Sequence, residues 1–354
     1  MTRALAAVTV EVPTDWRFSP DWATRVVSAQ HPGAVVGRVD TDPIDPGTTT
    51  RARIHLTYRD GDGPATLFLK AQGRLSHRLM LSSLALLTPE PRLFSSGEPL
   101  PMRRPVVYAV GIDRRRLNSI VVMEDVVAAG AVANIATSPL SVAEVARGLE
   151  EIASLHRHFW NNLPPALSWI RPWRIQHGWT LLALIGGIKG PPRLKDAGQL
   201  NILPDSARSW DRCLWLSRRS AALSKQGPQT LLHGDTHIGN TYTMPDGAVG
   251  FLDWQLVRRG NWSHDVGYFI TSALTETDRR THERDLLAHY LDALGPELTP
   301  DEAWRTYRCT PAYGLTAWLE TYASADYQSD DVSLTLLRRF GTAFDDLGTA
   351  ALLG

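Results

Sequence analysis

Residues 230–255, TLLHGDTHIGNTYTMPDGAVGFLDWQ, hold three oxygen-bearing side chains at a spacing that suits phosphoryl transfer. Asp235 follows an apolar run, Asn240 lies five positions on, and Asp253 ends a second apolar run after a Pro245-Asp246-Gly247 turn. The order reads as a strand, a loop and a hairpin that returns a second carboxylate to the first. Phosphoryl transfer needs few groups: a carboxylate to align and deprotonate an attacking hydroxyl, and hard oxygen ligands for magnesium against nucleotide phosphates. Asp235, Asn240 and Asp253 supply that set. Read instead as turn closure by His233 and Asp235 with Asp253 capping a strand end, each residue is explained singly but their joint spacing is not.

The run His233-Gly234-Asp235-Thr236-His237-Ile238-Gly239-Asn240, followed by a hairpin and Asp253-Trp254, resembles the aminoglycoside phosphotransferase and choline kinase superfamily. Ile238 to Thr241 and Phe251 to Gln255 look most like its ecdysteroid-kinase-like branch. The resemblance implies an α+β, two-lobe, protein-kinase-like fold, with a small antiparallel sheet in the amino-terminal lobe and a mainly helical second lobe. It implies Asp235 as catalytic base, Asn240 and Asp253 as magnesium ligands, and His237 as a support for the loop. Asp265, in HDVGYF, resembles the aspartate that braces this loop in the family, and a helix N-cap is the competing account.

The cofactors implied are ATP and magnesium, with the nucleotide against the amino-terminal sheet. Lys70, in LFLKA, is positioned to reach the α and β phosphates, and its alternative is an exposed strand-edge lysine. Its expected partner is Glu90 in TPEPRLF, which resembles the family's Glu-x-x-Phe/Tyr element although Pro89 and Pro91 flank it. Gly47 and Thr48, in the loop 45–50, occupy the phosphate-covering position, where an ordinary hairpin turn is the other reading. VVMEDV, 121–126, resembles the inter-lobe hinge, with Met123 and Glu124 as backbone contributors to nucleotide binding; the same residues also read as core.

The elements that must position these groups follow from periodicity. VVGRV, RARIHLTY, ATLFLKA, PVVYAVGI and SIVVMEDV are short and rich in β-branched residues, which predicts a five-stranded antiparallel sheet over 34–126. A helix over 76–87 is expected to cross one face. The composition then changes, placing a boundary between a nucleotide-binding lobe, 1–126, and a helical lobe, 127–354, that carries the catalytic loop and acceptor site. Ser141-x-x-Glu144 is a capping signal, and Leu149, Ile152, Ala153 and His156 give the following helix one apolar face. Between 164 and 229 turns rich in Trp, Pro and Gly mix with helical pieces, and a helical block closes the chain. Its aromatic residues Trp304, Tyr307, Tyr313, Trp318 and Tyr322 read either as core or as an acceptor pocket.

Formal net charge is zero over 354 residues, so the chain has no cationic excess for nucleic acid or anionic lipid. Cys213 and Cys309 stand apart, without metal-ligand spacing. No apolar run approaches a bilayer span, and the chain reads as cytoplasmic, with a small-molecule hydroxyl acceptor as its partner and neither nucleic acid nor membrane. The last 99 residues hold 15 acidic and 9 basic side chains, compatible with a cationic acceptor. The functional expectation is an ATP- and magnesium-dependent phosphotransferase, a small-molecule kinase. The alternative, a nucleotide-binding pseudokinase scaffold, does not account for retention of Lys70, Asp235, Asn240 and Asp253 together.

Overall fold

The computed structural model describes residues 7–15, 17–44, 50–71, 73–172, 177–324 and 328–354. Gly47 and Thr48 lie outside them. The amino-terminal part comprises β1 (Val8–Thr9), α1 (Pro20–Ser28), β2 (Val35–Ile44), β3 (Thr50–Asp60), β4 (Thr66–Ala71), α2 (Leu75–Ser83), α3 (Pro89–Phe94), β5 (Val107–Asp113) and β6 (Asn118–Glu124). Its strands form one sheet in the order β1-β5-β6-β4-β3-β2. The five strands expected from sequence are antiparallel neighbours, but β1 adds a sixth, parallel to β5 through Val8–Ala109 and Thr9–Val110. Two residues carry no readable periodicity, and tertiary pairing alone makes them a strand.

Alternation on β3 buries Ala52, Ile54 and Leu56 on one face. There they meet Leu67 and Leu69 of β4 and the apolar face of α1, Trp22, Ala23, Val26 and Val27. The opposite face, through Val110, Val121 and Met123, joins the large core of the helical part. The expected single helix over 76–87 is two: α2 ends at Ser83, and α3 begins at Pro89. Pro89 and Pro91 both fall in the first turn of α3, where a missing N–H breaks no helical hydrogen bond, so Glu90 sits in a helix despite its neighbours.

The remaining elements are β7 (Val132–Ala133), α4 (Val142–His158), α5 (His177–Asp196), α6 (Trp210–Leu223), β8 (Gln229–Leu232), β9 (Thr241–Thr243), β10 (Val249–Phe251), β11 (Arg258–Asn261), α7 (Ser263–Ala273), α8 (Glu276–Leu294), α9 (Pro300–Tyr307), α10 (Pro311–Ala323), α11 (Asp330–Asp346) and α12 (Thr349–Leu353). β10, β9 and β7 form one small antiparallel sheet, and β11 pairs with β8 in another. The result is an α+β architecture with a sheet-based amino-terminal lobe and a helical carboxy-terminal lobe. The capping box at α4 is present, with the Glu144 carboxylate accepting from the Ser141 amide at 2.8 Å.

α5 departs most from expectation, because its Gly and Pro residues read as breakers. A Cβ on Gly186 would lie 2.9 Å from Glu320 Cα, and one on Gly190 2.4 Å from Leu319 Cδ1, so these glycines let α5 approach α10 closely. Tertiary packing offsets the poor helix propensity. Beneath the candidate site, fully buried Phe269 of α7 meets Phe251 of β10 edge-on at 5.3 Å between ring centroids. Phe269→Ala is expected to lower stability by about 3–5 kcal/mol, read from the urea midpoint at unchanged slope.

Candidate active site

β8, buried through Leu231 and Leu232, delivers the chain to His233-Gly234-Asp235. Gly234 has φ +86, and a Cβ there would fall 2.1 Å from the Leu256 carbonyl oxygen, so this turn admits glycine alone. His233 is fully buried; its Nε2 bonds the Leu252 carbonyl at 2.8 Å and its Nδ1 accepts from the Asp235 amide at 3.2 Å. Burial keeps this imidazole below its usual pKa, in the neutral form that can do both.

Asp265 clamps the loop from below. Its carboxylate accepts from the amides of His233 at 2.8 Å and Gly234 at 2.9 Å, lies 3.3 Å from His156 Nε2, and its carbonyl accepts from the Thr236 hydroxyl at 2.8 Å. The N-cap of α7 is Trp262, so Asp265 serves as the brace and not as a cap. Desolvation works against its charge, but the bond from His156 prevails and, with the amides of His233 and Gly234, holds the carboxyl at about 2. Arg258 donates to the Gly234 carbonyl at 2.8 Å, and His264, kept neutral by burial and by Arg258, lies 3.1 Å from the same oxygen. Sequence reasoning missed both residues, because Arg258 stands in the polar run Arg258-Arg259-Gly260-Asn261 and neither belongs to a motif.

Asp235 faces a cavity with 23% of its side chain exposed. Asn240 Nδ2 donates to its Oδ2 and to its carbonyl, both at 2.9 Å. Using the amide nitrogen leaves the Asn240 oxygen, which has no hydrogen-bond partner among the described residues, for a hard cation. Desolvation pushes the Asp235 carboxyl above its ordinary pKa, opposed by His237 at 3.9 Å. His237 accepts from the Gly239 amide at 3.1 Å and packs edge-on against Trp318 at 5.1 Å, giving it a supporting contact on each side of the loop.

Asp253 returns by the hairpin in a left-handed conformation, φ +60. Lys70 Nζ lies 2.6 Å from Asp253 Oδ1 and 3.0 Å from Glu90 Oε2, and the other Glu90 oxygen accepts from the Trp254 amide at 3.1 Å. Desolvation disfavours all three charges. For Lys70 the two carboxylates prevail and raise its pKa; for Asp253 the ammonium prevails and lowers it; for Glu90 desolvation prevails and raises it. Glu90, 2% exposed, is therefore the carboxyl of the trio most ready to hold a proton.

Met123 is buried at the end of β6, and the Glu124 amide donates to the Val106 carbonyl at 2.8 Å while the Glu124 carboxylate accepts from Val106 at 3.1 Å. Asp125 is a structural anchor, paired with Arg53 of β3 and accepting from the Ala128 amide at 3.3 Å. Asp235, Asn240 and Asp253 line a cavity of about 250 Å³ with Leu84, Tyr313 and Trp318 among the other walls. The aromatic residues divide: Tyr307 of α9 and Tyr322 of α10 are core, whereas Tyr313 and Trp318 of α10 reach this cavity. A larger cavity of about 690 Å³, lined by Phe94, Arg104 and Glu151, holds none of the site residues.

The sequence model of the APH phosphotransferase enzyme family matches residues 126–308, more than half the chain. The chain belongs to this family. No curated protein matches it. Among solved structures, a putative aminoglycoside phosphotransferase from Ralstonia eutropha JMP134 is 14% identical at a TM-score of 0.50, covering 94% of this chain and 99% of its own. A spectinomycin phosphotransferase solved with ADP and spectinomycin is 13% identical at a TM-score of 0.51, covering 92% and 98%. Both share the fold of this phosphotransferase. No helix among the described residues is long and apolar enough to cross a membrane.

The low pKa of Asp265 makes part of the phosphotransferase's stability pH-dependent. With the folded value at about 2 against 3.8 for the free side chain, the contribution is complete above about pH 4 and is lost as pH falls toward 2. Unfolding free energy should fall by about 2 kcal/mol over that window from this group, and the fall should flatten by that amount in Asp265→Asn.

Proposed function

We propose that this phosphotransferase moves the γ-phosphoryl group of ATP, with magnesium, to a hydroxyl of a small molecule, and that Asp235 is the base. The observation that carries the reading is the convergence of Asp235, Asn240 and Asp253 on one cavity wall, with Lys70 bonded to Asp253. The acceptor hydroxyl rests against Asp235, whose raised pKa makes it a stronger proton acceptor than an exposed aspartate. As the hydroxyl oxygen bonds to the γ-phosphorus, the bond from that phosphorus to the bridging oxygen of ADP breaks, and the hydroxyl proton passes to Asp235. Lys70, oriented by Glu90, offers its ammonium to the α and β phosphates.

Two protein oxygens, from Asn240 and Asp253, are a donor set that fits magnesium, which takes its remaining ligands from phosphates and water. Magnesium would offset the phosphate charge that builds up in the transition state. In this reading residues 1–126 hold nucleotide, with Gly47 and Thr48 over the phosphates and the Met123–Glu124 backbone at the base edge, and residues 127–354 hold the acceptor in the cytoplasm. The ADP in the spectinomycin phosphotransferase structure supports a nucleotide donor. The residues at 238–241 and 251–255 support the ecdysteroid-kinase-like branch.

Magnesium-ATP at a hundredfold excess over its dissociation constant should raise stability by about 2.7 kcal/mol, and Asp253→Ala should abolish the magnesium-dependent part. Calorimetry that finds no magnesium-dependent nucleotide binding would sink the reading. Asp235→Asn should keep nucleotide affinity while turnover falls by about a hundredfold or more. Turnover is read by mass spectrometry over a panel of acceptor alcohols, and near-normal turnover in this variant would remove Asp235 as base.

A further inference from the structure

The cavity of about 690 Å³ opens between the end of α3, the segment 97–106, the start of β5 and α4, and shares no lining residue with the cavity around Asp235. Its size is ordinary for a ligand pocket, roughly 300–1,000 Å³. Buried Leu93, Phe94, Leu100, Met102 and Val107 supply its apolar surface. Among its polar residues, the Gln30 amide donates to the Val107 carbonyl at 3.1 Å, and the Glu151 carboxylate accepts from the Arg103 amide at 2.6 Å. Arg103 is exposed and Glu98 half-exposed, so water serves both side chains. Arg104 is placed differently. Its Nη1 donates to the Pro105 carbonyl at 3.1 Å, its Nε is shut off from water without an acceptor, and its Nη2 has no hydrogen bond among the described residues. Nor does this guanidinium form an ion pair among them, although two carboxylates line the same cavity.

We propose that this cavity is a second ligand site, which takes a flat monocarboxylic acid with an aromatic body and holds its carboxylate on Arg104. The assignment does not depend on the phosphotransferase reading. Desolvation lowers the pKa of Arg104, and the nearest group offsetting its charge is the face of Phe94, 5.2 Å from the ring centroid. A ring face is a weaker partner for a cation than a carboxylate. A ligand carboxylate can bond Nη2, and a turn of the side chain brings Nε to its second oxygen, the two-pronged arrangement that guanidinium favours. The aromatic body then covers Leu93, Leu100, Met102 and Val107. One guanidinium matches one negative charge, because Glu98 and Glu151 line the same cavity and would repel a phosphate dianion.

The full chain is titrated by calorimetry at neutral pH with 2-naphthoate, its neutral counterpart 2-naphthamide, and 2-naphthyl phosphate. The wild type should bind naphthoate about tenfold more tightly than the amide, and more tightly than the phosphate. Arg104→Gln should bring acid and amide within about twofold of each other, whereas Arg104→Lys should keep a preference for the acid. Val106→Trp, at a position 44% exposed on the rim, should weaken acid and amide alike. Saturating magnesium-ADP should leave acid binding in place. The urea midpoint of Arg104→Gln should be no lower than that of the wild type, because the variant gives up a charge for which the fold supplies no counter-ion. Equal binding of acid and amide by the wild type, retention of the acid preference in Arg104→Gln, tighter binding of the phosphate, unchanged binding in Val106→Trp, displacement of the acid by magnesium-ADP, or no binding of naphthoate overturns the assignment. A lower midpoint in Arg104→Gln overturns it too, since the guanidinium would then be a structural anchor.

Discussion

One ammonium group, that of Lys70, is buried between two carboxylates drawn from segments far apart in the chain, Glu90 from α3 and Asp253 from a turn 183 residues away. Each of these charges is disfavoured by its surroundings, and each is tolerable only because the others are present. That mutual dependence joins the sheet to the helical part at the point where phosphate chemistry is expected. Glu90 adds a bond to the Trp254 backbone, so the same side chain fixes both the lysine and the turn that carries Asp253. Misplacement of any member would strand a charge in the interior, a much larger loss than any surface ion pair could inflict.

A second centre, Asp265, acts on the other side of the catalytic loop. It gathers two successive amides and an imidazole, and through His156 it reaches the Tyr290 hydroxyl of α8 at 2.8 Å. The loop is thus held chiefly through its backbone groups, which bond Asp265 below and Asn240 within the loop. Asp235 and Asn240 are left to face the cavity.

Much of this was legible in the sequence because it is local. The strands of the sheet follow from short runs of β-branched residues, and the loop from His233 to Asn240 is readable because only glycine fits at Gly234 and because strand, loop and hairpin are contiguous. What could not be read depends on contacts between distant segments. The strand at Val8–Thr9 exists only through β5. The helical state of α5 depends on α10 accepting its glycines, against the plain reading of Gly186, Gly187, Gly190, Pro191 and Pro192 as breakers. Arg258, His264 and Arg104 carry no motif; their surroundings are assembled by tertiary packing, and burial gives each its distinctive state. The prolines around Glu90 point away from a helix interior, and only the short length of α3, which puts both in its first turn, reconciles them with the pairing.

That short helix has a consequence for control. In protein kinases the lysine–glutamate pair is a switch, made and broken as a helix takes up alternative positions. Here the glutamate is bracketed by two prolines whose φ angles are fixed, sits two residues into a six-residue helix, and is tied through both oxygens to partners in different parts of the chain. Rotating α3 outward would unpair Lys70, Glu90 and the Trp254 amide together, so a second position of this helix would cost both interactions at once. The pair acts as a strut between α3 and the turn that carries Asp253. Movement of this helix is therefore tied to the turn that carries Asp253, so displacement of either is felt at the other.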